Sequence, residues 1–172
     1  MTTYLVLTVI GNDKPGLVEA LSQVIASNSG NWLESSMSQL AGKFAGILRV
    51  SVADTQVDKL IAALQNFPPD LKLLIERATA DSTEDSAQAV TLNLLGNDRP
   101  GIIREISRVL AGLSVNVEKL STECVPAPMS GESIFKADAL LKVPADLELE
   151  ILQSELERLA DDLIVEIQLG SA

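Results

Sequence analysis

The chain has 172 residues, 47% hydrophobic and 22% charged but only 3% aromatic, so it is long enough to bury a core built of Leu, Ile, Val and Ala. Against 13 Lys and Arg stand 24 Asp and Glu, a net charge of −11, which argues against a protein that grips nucleic acid by neutralising phosphates. There is no histidine, which removes the commonest general base and metal ligand and every Ser-His or Cys-His nucleophile pair, and no enzyme is expected.

The first predicted element is a strand over Tyr4 to Ile10, a short run rich in Val, Leu and Thr closed by Gly11-Asn12-Asp13. A helix follows at once. Leu17, Leu21, Val24 and Ile25 fall at i, i+4, i+7 and i+8 on one face, and Pro15 suits the first turn. A strand after Asn31 alternates poorly, whereas Phe44, Gly46, Leu48, Val50 and Val52 alternate clearly after the short turn Ala41-Gly42-Lys43. A second helix is predicted from about Thr55 to Asn66, capped by Asp54, with Val57, Leu60, Ile61 and Leu64 on one side. Leu71 to Ala78 closes the series as a strand.

Thr79 to Ala87 has no large apolar side chain and carries three acidic residues, the composition of a solvated linker. The expected division is 1–80, a linker at 81–88, and 89–172. Beyond the linker the sequence starts again. Leu7 to Ser36 aligns without gaps on Leu92 to Ser121, with twelve identities in thirty positions, which marks a duplication. The second half therefore repeats the order: a strand over Ala89 to Leu95, a helix carrying Ile102, Ile106, Val109 and Leu110 after Pro100, and a strand with Phe135, Ala137, Ala139, Leu141 and Val143 alternating. Its last helix is placed near Leu147 to Ala160 with Asp146 as cap, and its last strand at Leu163 to Leu169. Each half reads strand, helix, strand, strand, helix, strand. That order implies an α+β fold, an antiparallel sheet with both helices on one face.

A single cysteine, Cys124, permits no intrachain disulfide, and no apolar run approaches the ~20 residues that span a bilayer. The expected location is the cytoplasm, with no membrane association. Charge divides unevenly: residues 1–80 hold 6 basic and 7 acidic residues, residues 81–172 hold 7 and 17. Glu148, Glu150, Glu155, Glu157, Asp161 and Asp162 put much of the excess on the last helix, as a solvated face or a docking surface for a basic partner.

The turn Gly11-Asn12-Asp13-Lys14-Pro15-Gly16-Leu17, repeated as Gly96-Asn97-Asp98-Arg99-Pro100-Gly101-Ile102, resembles the ACT domain family of small-molecule-binding regulatory modules. The resemblance covers nearly the whole chain, twice, and implies two ferredoxin-like βαββαβ domains in tandem. With no catalytic or DNA-binding domain attached, and a second hairpin enlarged by Val125 to Gly131, the chain is similar to the glycine cleavage system transcriptional repressor family. That resemblance implies an amino-acid-responsive negative regulator of transcription, acting through the activator protein of the glycine cleavage operon without touching DNA. The alternative is an amino-acid-binding allosteric subunit of a metabolic enzyme. Neither reading needs a cofactor; the ligand implied is a small amino acid, glycine or similar, and a homodimer is left open.

In amino-acid-binding members the ligand sits between domains, held by this turn and by an Asn fifteen residues after its second glycine. The resemblance thus implies a ligand-binding set of Gly11, Asn12, Asp13, Gly16 and Asn31, with Gly96, Asn97, Asp98, Gly101 and Asn116 in the repeat. In the family's serine-regulated dehydrogenases the slot of Asp13 and Asp98 carries Asn, so a carboxylate there changes what the loop reads.

Independently of that resemblance, glycines bounding a helix start allow close backbone approach, and free N–H groups there attract an anion such as a carboxylate. Asn offers both an acceptor and donors, which suits a zwitterion. Asn12 and Asp13 equally suit turn chemistry and capping, and Asn31 and Asn116 a turn that opens a strand. Trp32 reads as a packed aromatic and Cys124 as an inert, partly buried thiol. The tip from Val125 to Glu132, with two prolines and Met129, reads as an ordinary loop insertion or a partner contact.

Overall fold

The computed structural model describes residues 1–78 and 86–172, which fall into two compact units divided between Thr83 and Glu84. The expected linker lies largely outside the described residues. The first unit runs β1 (Thr2–Asn12), α1 (Leu17–Ser27), β2 (Asn31–Leu40), β3 (Lys43–Ala53), α2 (Val57–Gln65) and β4 (Leu71–Ala78). The second runs β5 (Gln88–Asn97), α3 (Ile102–Gly112), β6 (Asn116–Pro126), β7 (Ser133–Val143), α4 (Leu149–Leu163) and β8 (Val165–Ser171). Both sheets are antiparallel, ordered β2-β3-β1-β4 and β6-β7-β5-β8, so each unit is the expected ferredoxin-like βαββαβ fold.

Alternation fixes which face of each sheet is buried. Leu5, Leu7 and Val9 of β1 and Leu48, Val50 and Val52 of β3 point one way and are buried with Leu21 and Ile25 of α1 and Leu60 and Leu64 of α2. Both helices therefore cover the same face. Leu92, Leu94, Leu141 and Val143 meet Ile106, Leu110, Leu152 and Leu156 in the same way in the second unit.

Several local expectations need correcting. Asp54 is no cap: it opens a 3-10 turn, Asp54–Gln56, ahead of α2 and accepts a 2.7 Å hydrogen bond from the Thr3 hydroxyl. Asp146 is consumed by a turn closed by Leu147 N–H to Pro144 C=O at 3.1 Å, and the N-cap of α4 is Glu148. Pro15 and Pro100 stand one residue before the N-caps, Gly16 and Gly101, not in the first helical turn. The last helix extends to Leu163 because its apolar stripe continues through Leu159, and the last strand begins only at Val165.

The poor alternation after Asn31 has a cause. β2 is an edge strand whose register shifts between Trp32 and Glu34, and β6 repeats that bulge between Val117 and Lys119. Trp32 packs, half-buried, against the first core. Cys124 is exposed on the β6 edge, not partly buried as expected. At the first hairpin Ala41 and Gly42 both take positive φ, the two-residue turn that matches strand twist. The enlarged second hairpin spans 127–132, closed by Ala127 N–H to Glu132 C=O at 2.7 Å, with Met129 fully exposed. No helix among the described residues is long and apolar enough to cross a membrane.

Candidate functional site

Each repeated turn leaves the centre of its sheet and starts a helix. Gly11 and Asn12 are the last residues of β1, and Asp13 leaves the ladder, its N–H held by Gly42 C=O at 2.9 Å. Gly16 then takes φ +89°, which glycine adopts at little cost, and helix α1 begins. The second copy repeats each step: Asp98 N–H donates to Ser133 C=O at 2.8 Å, and Gly101 takes φ +95° before α3. Neither helix has a side-chain cap, so capping is not what Asn12, Asp13, Asn97 or Asp98 do, and the first N–H groups are left for a ligand or solvent.

The structure gives the two turns different neighbours. Lys43, across the ladder from Asn12, donates its ammonium to Asn12 Oδ1, and Lys14 forms an ion pair with Asp70. In the second unit Ile134 stands opposite Asn97, and no side-chain hydrogen bond to Asn97 is present among the described residues. Asn97 and Gly96 instead border a cleft of about 520 Å³ with Ile134, Asp161, Ile164 and Glu166. Asp98 lies beside Cys124: local desolvation of the thiol, then the Asp98 carboxylate and the hydrogen bond between them, push the thiol pKa up.

The two remaining candidates sit elsewhere. Asn31 opens β2 opposite Ser51, which pairs with Tyr4, whereas the turn begins at Gly11, seven residues further along β1. At the usual rise per residue that separates Asn31 from its own unit's turn by roughly 23 Å. Asn116 stands in the same relation through Lys142 and Ala89 to Gly96. Both Asn residues are exposed, and within a unit the structure does not bring either one to the turn. Lys43, Asp70, Asp161 and Glu166 are not recognisable from the chain as neighbours of the turns, because they arrive from strands, a connection and a helix end distant in the chain and carry no spacing signal.

Two antiparallel βαββαβ units, each with a glycine-bounded turn feeding its first helix, define a tandem ferredoxin-like architecture, and the comparisons agree with it. The ACT domain family model matches residues 3–77, the first unit, and a UPF0237 protein of Methanopyrus kandleri is 39% identical over 71 residues, 40% of this chain and 79% of that one. The chain belongs to the ACT domain family. Over 93% of its length and 85% of the relative's, it is 22% identical to the glycine cleavage system transcriptional repressor of Escherichia coli. A crystal structure of an unknown protein from Galdieria sulphuraria superposes over the whole chain and 99% of that protein with a TM-score of 0.88 at 29% identity. A putative glycine cleavage system transcriptional repressor superposes over the whole chain and 98% of its own, with a TM-score of 0.73 at 19% identity, which shows the shared fold.

Proposed function

We propose that this chain is a regulatory protein that responds to a small amino acid, glycine or similar, and lowers transcription of a glycine cleavage operon by engaging a protein activator. The observation that carries the reading is the twice-built turn, whose uncapped helix start offers N–H donors and whose Asn97 side chain offers an acceptor and donors to one end of a zwitterion. Similarity to a transcriptional repressor over 93% of the chain supports the regulatory part. A net charge of −11 disfavours phosphate contact, so the protein works through another protein and leaves operator DNA unshifted at physiological salt. Action from the cytoplasm follows from the same reading.

Calorimetric titration with the proteinogenic amino acids tests the first half. Binding in the micromolar to millimolar range is expected, since few ligand atoms contribute little free energy. Asn97→Ala weakens the response, since that side chain offers the acceptor and donors at the turn. Affinity capture with and without glycine tests the second half: recovery of a transcription activator supports it, recovery of a metabolic enzyme redirects it to an allosteric subunit, and specific DNA binding by the isolated chain overturns it.

A further inference from the structure

The two turns share a backbone but present different charge. In the first unit the protein's own ammonium groups occupy the turn: Lys43 Nζ sits on Asn12 Oδ1 and Lys14 Nζ on Asp70. The duplicated copy keeps a cation at the position of Lys14, as Arg99, but has none at the position of Lys43. Position 134, opposite Asn97, is Ile, and the connection that delivers Asp70 is missing, since α4 passes into β8 through the single residue Ile164 where the first unit uses Asn66 to Asp70.

In the second unit the last turn of α4 and the end of β5 thus face each other across the cleft of about 520 Å³. Everything charged in it is negative. Asp161 and Glu166 line it, no Lys or Arg does among the described residues, and the C-terminal end of the fifteen-residue helix α4 adds the negative end of its dipole. Ile134, Ile164 and Val165 supply an apolar wall.

We propose that this cleft binds the ammonium end of a small aliphatic amine, with Asn97 Oδ1, Asp161 and Glu166 as acceptors and Ile134 and Ile164 against the carbon chain. The first unit carries the independent support, because the equivalent Asn already holds an ammonium supplied by the chain itself. The duplication therefore contains one self-occupied copy and one that takes its ammonium from solution. The inference deepens the amino-acid reading, since an amino acid carries such a group, but a carboxylate-free amine satisfies it as well.

Methyl NMR of the full chain, titrated separately with n-propylammonium, propionate and glycine, tests it. Propylammonium shifts the Ile134 and Ile164 methyls and propionate does not. The double change Asp161→Asn with Glu166→Gln weakens propylammonium binding at least about tenfold, as expected when charge-assisted hydrogen bonds are lost, while Glu76→Gln, at an exposed carboxylate of the first unit, leaves it unchanged. The proposal falls if propylammonium moves neither methyl up to about 100 mM, a generous ceiling for so few ligand atoms, or if propionate competes equally. Propylammonium binding without any glycine response would remove the amino-acid reading and keep the cleft. Glycine binding that spares both methyls would do the reverse.

Discussion

The two units are copies of one plan that have diverged where the plan leaves room. The buried faces match almost position for position, with Leu5, Leu7 and Val9 answered by Val90, Leu92 and Leu94. The outward faces do not. One row across the first sheet runs Ser36, Ile47, Thr8 and Leu74, with Ile47 54% and Leu74 58% exposed, and the corresponding row of the second runs Ser121, Asp138, Asn93 and Gln168. Asn93 there donates to Asp138. Packing punishes change on a buried face by kilocalories, while a solvated face tolerates it, so the acidic excess and the open cleft could accumulate in the second copy without disturbing its fold.

Breaking the shared part should have the largest effect. Leu60→Ala in α2 and Leu152→Ala in α4 each empty a fully buried site, and each is expected to cost about 2–5 kcal/mol. Hydrogen exchange of the core amides reads the loss unit by unit, and equal losses would show that the two cores are energetically equivalent. A smaller effect tests a position where the copies differ. A Cβ added at Gly46 would lie 2.3 Å from Ser36 C=O and 2.6 Å from Met37 Cγ, whereas Ala137 fills the corresponding place in β7. Gly46→Ala is expected to lower stability by about 1–3 kcal/mol in denaturant unfolding, through displacement of β2.

The diverged connection predicts a gain. Ile164 is 87% exposed and takes φ +56°, a left-handed conformation that a β-branched residue resists. Ile164→Gly should raise the stability of the second unit by about 1 kcal/mol, seen as a higher denaturation midpoint at unchanged m-value. The five-residue connection of the first unit has no positive φ and offers no such gain. The smallest effect is chemical. Because local desolvation and the Asp98 carboxylate favour the protonated thiol, Cys124 holds less thiolate than a free cysteine at the same pH, and its alkylation rises with pH later than that of a free thiol. Asp98→Asn removes the charge and should speed alkylation near pH 8, measured against the unchanged chain; Gln39, the matching residue of the first unit, has no thiol to react.

Much of the fold was legible because its signals are local. The repeat from Leu7 to Ser36, the stripe of Leu17, Leu21 and Ile25, and the alternation of Leu48, Val50 and Val52 are all written within one element. Asp54 and Asp146 misled because an Asp before a helix serves a turn as readily as a cap, and the neighbouring Thr3 and Pro144 decided which. Cys124 misled because burial on an edge strand depends on how far the helices reach across the sheet. The candidate turn was found, but its neighbours were not.

The sequence by itself determined that there are two copies, which faces of each are buried, and where the glycine-bounded turns fall, since these follow from backbone geometry and from periods of 2 and 3.6 residues. Tertiary structure alone decided that Asn31 lies at the far end of the sheet from Gly11, that Lys43 reaches Asn12, and that Asp161 and Glu166 border Asn97. Those relations are set by strand register and by where a helix ends, which bring together residues 30 or more positions apart in the chain, and no local pattern records such pairings.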